Sequence, residues 1–185
     1  MKIIPEDRAE YKIEEAVLIN YHKLGYNRIH PPVRRVVLYR GAGIVDLVLL
    51  PKNNKHRLVL IEAKHSINAE SGEKVVGQLL KYYAYALTIG LKGLSRLKDF
   101  AENYPVMAHS ATKITFQMLC GGIHRDKALP LMGEGRLLRP DEIGLYVAVD
   151  GKFEPSLSLI VSTLWQHHGL KIGMIQVSNG TISVQ

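Results

Sequence analysis

Over residues 5–24 the apolar residues Ile13, Ala16, Val17, Tyr21 and Leu24 recur at helical spacing with charged residues between them, which predicts an amphipathic helix stopped by Gly25. Pro31 and Pro32 interrupt the chain, and the β-branched and aromatic residues of 33–39 predict a strand. After a turn at 40–43, residues 44–50 form a nearly continuous apolar run, broken only by Asp46 and closed by Pro51. Such a run fits a strand covered on both faces, in the middle of a sheet. Asn53 and Asn54 suit a tight connection, and 57–64 is a second apolar run, so 44–64 reads as a β-hairpin.

Further along, Val75, Val76, Leu79, Leu80, Tyr83 and Leu87 make one apolar face of a helix over 73–89, and a second helix is predicted over 91–104. Alternation predicts strands at 113–119 and 144–149, and the last forty or so residues predict a helix over 156–168, with Trp165 in its core face, and strands near 171–177 and 181–184. The stretch 120–143 is rich in glycine and proline and has no clear period. The expected fold is therefore α/β, with a mixed central sheet flanked by helices. One domain over 1–185 is expected, with a core at about 5–120 and further α/β elements at about 121–185 packed on it.

Asp46 stands out because an unpaired charge in an apolar strand is costly and calls for a cation, a hydrogen-bonding partner or a cleft. Glu62 and Lys64 pose the same question on the next strand, where alternation projects both from one face. If the hairpin is symmetric about Asn54, Asp46 lies opposite Glu62. Two facing carboxylates repel unless a proton or cation sits between them, and an all-oxygen site suits Mg²⁺ or Mn²⁺. Beside such an ion, Lys64 would position or activate a water and neutralise charge building on a phosphate. The plainer alternative is a structural Asp46–Lys64 ion pair with Glu62 at a solvated strand end.

These residues stand in a particular order: a helical pair Glu14-Glu15, Gly43-Ile44-Val45-Asp46 opening a hairpin, Glu62-Ala63-Lys64 closing it, then Gln78 and Tyr82 one turn apart on a helix. Over about residues 13–88 that order resembles the PD-(D/E)XK phosphodiesterase superfamily, in its Mrr-like, Holliday-junction-resolvase-like and RecB-like branches. Val45 stands where the proline of the family name would be. The resemblance implies a restriction-endonuclease-like core and a metal-dependent nuclease, acting on DNA in preference to RNA. It implies Asp46, Glu62, Lys64 and Gln78 as catalytic residues, and Glu14 (or Glu15), Asp46, Glu62 and the Ala63 carbonyl as metal ligands. Arg34, Arg35, Arg40, Lys74, Lys81 and Tyr82 are the candidates for nucleic-acid contacts. A homodimer is expected, since cutting both strands of a duplex needs two symmetric sites. Two other classes remain open: a nucleic-acid-binding module that does not cut, and an interaction subunit of a larger complex.

Composition narrows the alternatives. Lys plus Arg outnumber Asp plus Glu by 24 to 17, a net charge of +7, which favours an anionic partner. One cysteine, Cys120, excludes an intrachain disulfide and a four-cysteine zinc or iron–sulfur site. His65 points away from Lys64 by alternation, and His124, His167 and His168 lack partners at ligand spacing. No Gly-x-x-x-x-Gly-Lys-(Ser/Thr) run supports an ATP-driven motor. No apolar run is long enough to span a membrane, and the opening MKIIPEDRAEYK lacks the apolar stretch of a secretory signal, so a cytoplasmic protein is expected.

Overall fold

A computed structural model describes residues 9–38, 43–65, 71–105, 108, 133 and 135–185. Its six strands are β1 (Val33–Val36), β2 (Val45–Leu49), β3 (Leu58–His65), β4 (Ile143–Asp150), β5 (Gly173–Ser178) and β6 (Thr181–Val184). They lie side by side in chain order. The β3–β4 and β4–β5 pairs are parallel and the other three antiparallel, so the sheet is mixed as expected. The helices are α1 (Ala9–Ile19), α2 (Ser71–Ala86), α3 (Leu91–Asn103) and α4 (Pro155–His168).

Two apolar layers hold these elements together. On one face of the sheet, Val48, Leu50, Leu58, Leu60 and Val147 pack with Val76 and Leu79 of α2, Leu97 of α3 and Leu157 of α4. On the other, Leu47, Leu49, Val59, Ile61 and Ala148 pack with Ile13, Ala16 and Val17 of α1. Covering both faces is what the unbroken apolar run of β2 demands, and all five of its residues are buried. Leu47 pairs with Ile61, Val48 with Leu60 and Leu49 with Val59, the register that symmetry about Asn54 assumes. Among the described residues no helix is long and apolar enough to cross a membrane.

Several boundaries differ from expectation. The first helix stops at Ile19, because the Asn20 side chain donates to the Ala16 carbonyl at 2.8 Å and competes with the next helical turn. A separate 3₁₀ turn, Tyr21–Leu24, follows and closes on Gly25 at φ 84°. Trp165, expected in the core, is 53% exposed. Gly72 of α2 packs on Ser156 and Leu157, so α2 covers the start of α4, while Trp165 lies a full turn beyond its last buried residue, Val161. The expected strand at 113–119, and Arg40, Cys120 and His124, lie outside the described residues.

Candidate active site

The site begins with a fault in strand alternation. Val33 and Val36 of β1, three residues apart, join the same apolar layer, and so do their partners Val48 and Val45 on β2. Simple alternation would put them on opposite faces. Between them, Arg35 adopts a left-handed φ of 54°, which reverses the faces at the level of Asp46. The Asp46 carboxylate then lies beside β3, where its Oδ2 accepts the Ala63 N–H at 3.0 Å. A side chain thus takes the place of a backbone acceptor where the β2–β3 ladder ends, at Leu47 and Ile61.

Just before this point the chain needs glycine. Gly43 sits at φ 100°, and a Cβ there would meet the Tyr82 ring and hydroxyl at 3.2 Å. The Tyr82 hydroxyl donates to the Ile44 carbonyl at 2.8 Å and so pins the strand entry to α2. Gly43→Ala is expected to destabilise the protein by more than about 1 kcal/mol, from strain and crowding together. Gly77→Ala, on an exposed stretch of α2 with open space around it, is expected to stabilise by about 0.5–1 kcal/mol. Urea unfolding of the two variants reads both signs.

Around Asp46 the charges converge. Lys64 Nζ is 2.8 Å from Glu62 Oε1, 3.7 Å from Glu10 Oε1 and 4.0 Å from Asp46 Oδ2. Asp46 and Glu62 are buried, and Glu62 Oε2 meets no donor among the described residues unless one of the two carboxyls keeps a proton. Burial pushes the Asp46 carboxyl above the usual aspartate range, against the pull of Lys64 and the Ala63 N–H. Burial and the neighbouring Asp46 push Glu62 up to about 8. Burial alone would lower Lys64, but Glu62, Asp46 and Glu10 outweigh it and hold the ammonium above its ordinary range. Among the described residues one ammonium therefore faces the buried Asp46 and Glu62 carboxyls, and that pair is short of positive charge.

That shortage has a measurable consequence in metal-free protein. An unfolded chain releases the Glu62 proton near pH 4.5, whereas the folded protein holds it to about 8. The folded state thus binds the extra proton across this interval, so its stability falls as pH rises through it. Glu62→Gln, which cannot ionise, is expected to be more stable than the native protein at pH 8 in EDTA, by on the order of 4 kcal/mol. The two should converge near pH 5. Thermal unfolding at the two pH values checks this, and an equal gap at both would show that ionisation of Glu62 is not the cause.

The other expected site residues divide. Glu14 is buried, and its Oε2 accepts from Arg34, whose other terminal nitrogen donates to Glu15 Oε1. Arg34 is itself fully buried, with its guanidinium carbon 4.5 Å from the centre of the Tyr11 ring. This corrects the expectation that Arg34 reaches nucleic acid: the docking of α1 encloses it. Tyr82 is corrected likewise, being 1% exposed and committed to Ile44. Arg35 is half-buried, whereas Lys74 and Lys81 are exposed on α2. Gln78 is half-buried one turn before Tyr82, and its buried Oε1 has no partner among the described residues. His65 pairs with Asp150 at 2.9 Å.

Glu10 is the α1 carboxylate beside Lys64, and sequence reasoning missed it. It stands one turn before Glu14, on the same helix face, and that spacing was the available signal.

Asp46 and Glu62 suit a hard divalent cation, offering two buried carboxylates on adjacent strands and an Oε2 on Glu62 that no other side chain among the described residues occupies. Among the described residues no group of three His, Cys, Asp or Glu side chains is arranged to hold a metal ion. Mg²⁺ commonly keeps several waters and takes only one or two carboxylates, so the pair still fits it. Compared with known proteins, the chain matches no family model, no curated protein and no solved structure.

Proposed function

We propose that the chain is a metal-dependent phosphodiesterase that cuts nucleic acid, with DNA as its first substrate class. The observation that carries this reading is the pair of buried carboxylates, Asp46 and Glu62, bridged by Lys64 at 4.0 and 2.8 Å near the end of β3. Support also comes from the motif order, which resembles that of the PD-(D/E)XK nucleases, and from the net charge of +7.

Asp46 and Glu62 would hold the ion, together with the Ala63 carbonyl. In an extended residue the N–H and C=O point to the same neighbouring strand, so that carbonyl opens on the side where Asp46 receives the Ala63 N–H. When bound, Mg²⁺ supplies Lewis acidity that eases deprotonation of a water and offsets charge on the phosphoryl oxygens. Lys64 is held protonated by the acidic groups around it, Glu62 first and then Asp46 and Glu10, so its part is to donate to the reacting phosphate and neutralise developing charge, not to abstract a proton. Gln78, whose amide oxygen has no partner among the described residues, is suited to orient the attacking water. Lys74 and Lys81 on the exposed side of α2 are suited to backbone phosphates. A homodimer would bring two such sites to one duplex.

A second reading, a nucleic-acid-binding module that does not cut, draws on the net charge of +7 alone. Labelled single-stranded, double-stranded and branched DNA, incubated with Mg²⁺, Mn²⁺ or EDTA, separates the two. The nuclease reading expects cleavage that needs the metal and is lost in Asp46→Asn. The second expects salt-sensitive binding with no cleavage under any condition.

A further inference from the structure

A second cleft lies at the other end of the sheet. Parallel strands β3, β4 and β5 all run away from it, for it is lined by Lys55 and His56 just before β3, by the first residues of β4 and by Gly173 at the start of β5. Glu62 and Lys64 stand towards the opposite end of β3. The cleft holds about 540 Å³, within the range of small-ligand sites.

Its walls are aromatic and its rim is cationic. One edge of the Tyr146 ring rests against Gly173, where a Cβ would sit 2.4 Å from it, so only glycine lets the ring rest there. The Tyr146 hydroxyl is 3.4 Å from that of Tyr26, which shares a 2.7 Å hydrogen bond with His56 Nδ1. Opposite the strands, α4 contributes Trp165, more than half exposed. Lys23, Lys55 and Lys171 complete the lining, against one acidic side chain, Asp141, which is 3.7 Å from Lys55. Lys171 is exposed, with no carboxylate at ion-pair distance among the described residues. The His56 ring reflects this surplus, for burial first and then Lys55 and Lys171 lower its affinity for a proton.

An exposed indole beside three ammonium groups that face one carboxylate suits a ligand that is flat at one end and anionic at the other. A purely apolar ligand would leave the lysines unused, and an inorganic anion would leave the aromatic wall unused. We propose that this cleft binds a nucleotide, its base against Trp165 and its phosphate on Lys55 and Lys171, supplied either free or as one unit of a single strand. Stacking of one base on such a side chain contributes about 1–3 kcal/mol and tolerates any base, so broad base selectivity is expected. The site is separate from the candidate active site and does not depend on cleavage.

Trp165 is the single tryptophan of the chain, so its fluorescence reports directly on occupancy. The full chain is titrated in EDTA with ATP, with inorganic triphosphate and with a short single-stranded oligonucleotide, and then as Lys171→Glu and Asp46→Asn. Saturable quenching is expected with nucleotide or oligonucleotide, weakened about tenfold or more by Lys171→Glu and unchanged by Asp46→Asn. Quenching by ATP as well as by the strand identifies a free-nucleotide site, and quenching by the strand alone identifies a strand site. The proposal is overturned by no quenching with either, by quenching equally strong with triphosphate alone, or by quenching that Lys171→Glu leaves intact while circular dichroism reports the native fold. Lys171 is exposed, so the fold is expected to survive that change.

Discussion

Arg34→Ala is expected to lose about 3–5 kcal/mol of stability, enough to lower the unfolding temperature by roughly 10 °C. The guanidinium is fully buried and binds Glu14 and Glu15 together, so it fixes α1 to the β1 edge of the sheet. Removing it takes a buried cation away from the Glu14 carboxylate, 2% exposed, and breaking such a pair costs far more than the pair contributes when intact. The arithmetic gives a direct check. Arg34→Met combined with Glu14→Gln removes both charges and keeps the volume, and it should recover most of the loss, whereas either change alone should not. Urea unfolding of the four proteins reads the coupling. Near-additive losses would mean that the pair holds α1 by packing alone.

The same pair bears on the candidate site. Glu10, whose side chain lies beside Lys64, is on the first turn of α1, and Glu14 one turn later is where Arg34 anchors that helix. Loosening the anchor should therefore move a carboxylate away from Lys64 without touching Asp46 or Glu62.

How much of this was legible in the sequence depended on how local the cause was. The hairpin and its register followed from two apolar runs about Asn54, and the adjacency of Asp46 and Glu62 followed from the register. The two-sided burial of β2 was legible for the same reason, since its run had no polar face to offer water. Arg34 was not, because an arginine in a short strand next to a polar helix pair has the same pattern whether it meets solvent or a carboxylate. Only the docking of α1 across β1 decides which. Trp165 misled through its spacing, four residues after buried Val161, because periodicity reports a helix face but not how far along the helix its neighbour extends. Asp46 itself was conspicuous by polarity, yet the device that turns its carboxylate to the Ala63 N–H, the left-handed Arg35 on the neighbouring strand, leaves no mark in composition or period.

The most direct test of the proposed chemistry is cleavage of labelled DNA in Mg²⁺ by the native protein and by Lys64→Ala, with EDTA as the control. Lys64 bridges Glu62, Asp46 and Glu10, and with it gone the developing charge on the phosphate loses this donor. Losing a preorganised donor of this kind lowers rates by about 10²–10³-fold. Mg²⁺-dependent cleavage is expected, falling by at least that factor in Lys64→Ala while DNA binding persists. Cleavage by Lys64→Ala at the native rate, or cleavage that continues unchanged in EDTA, would contradict it.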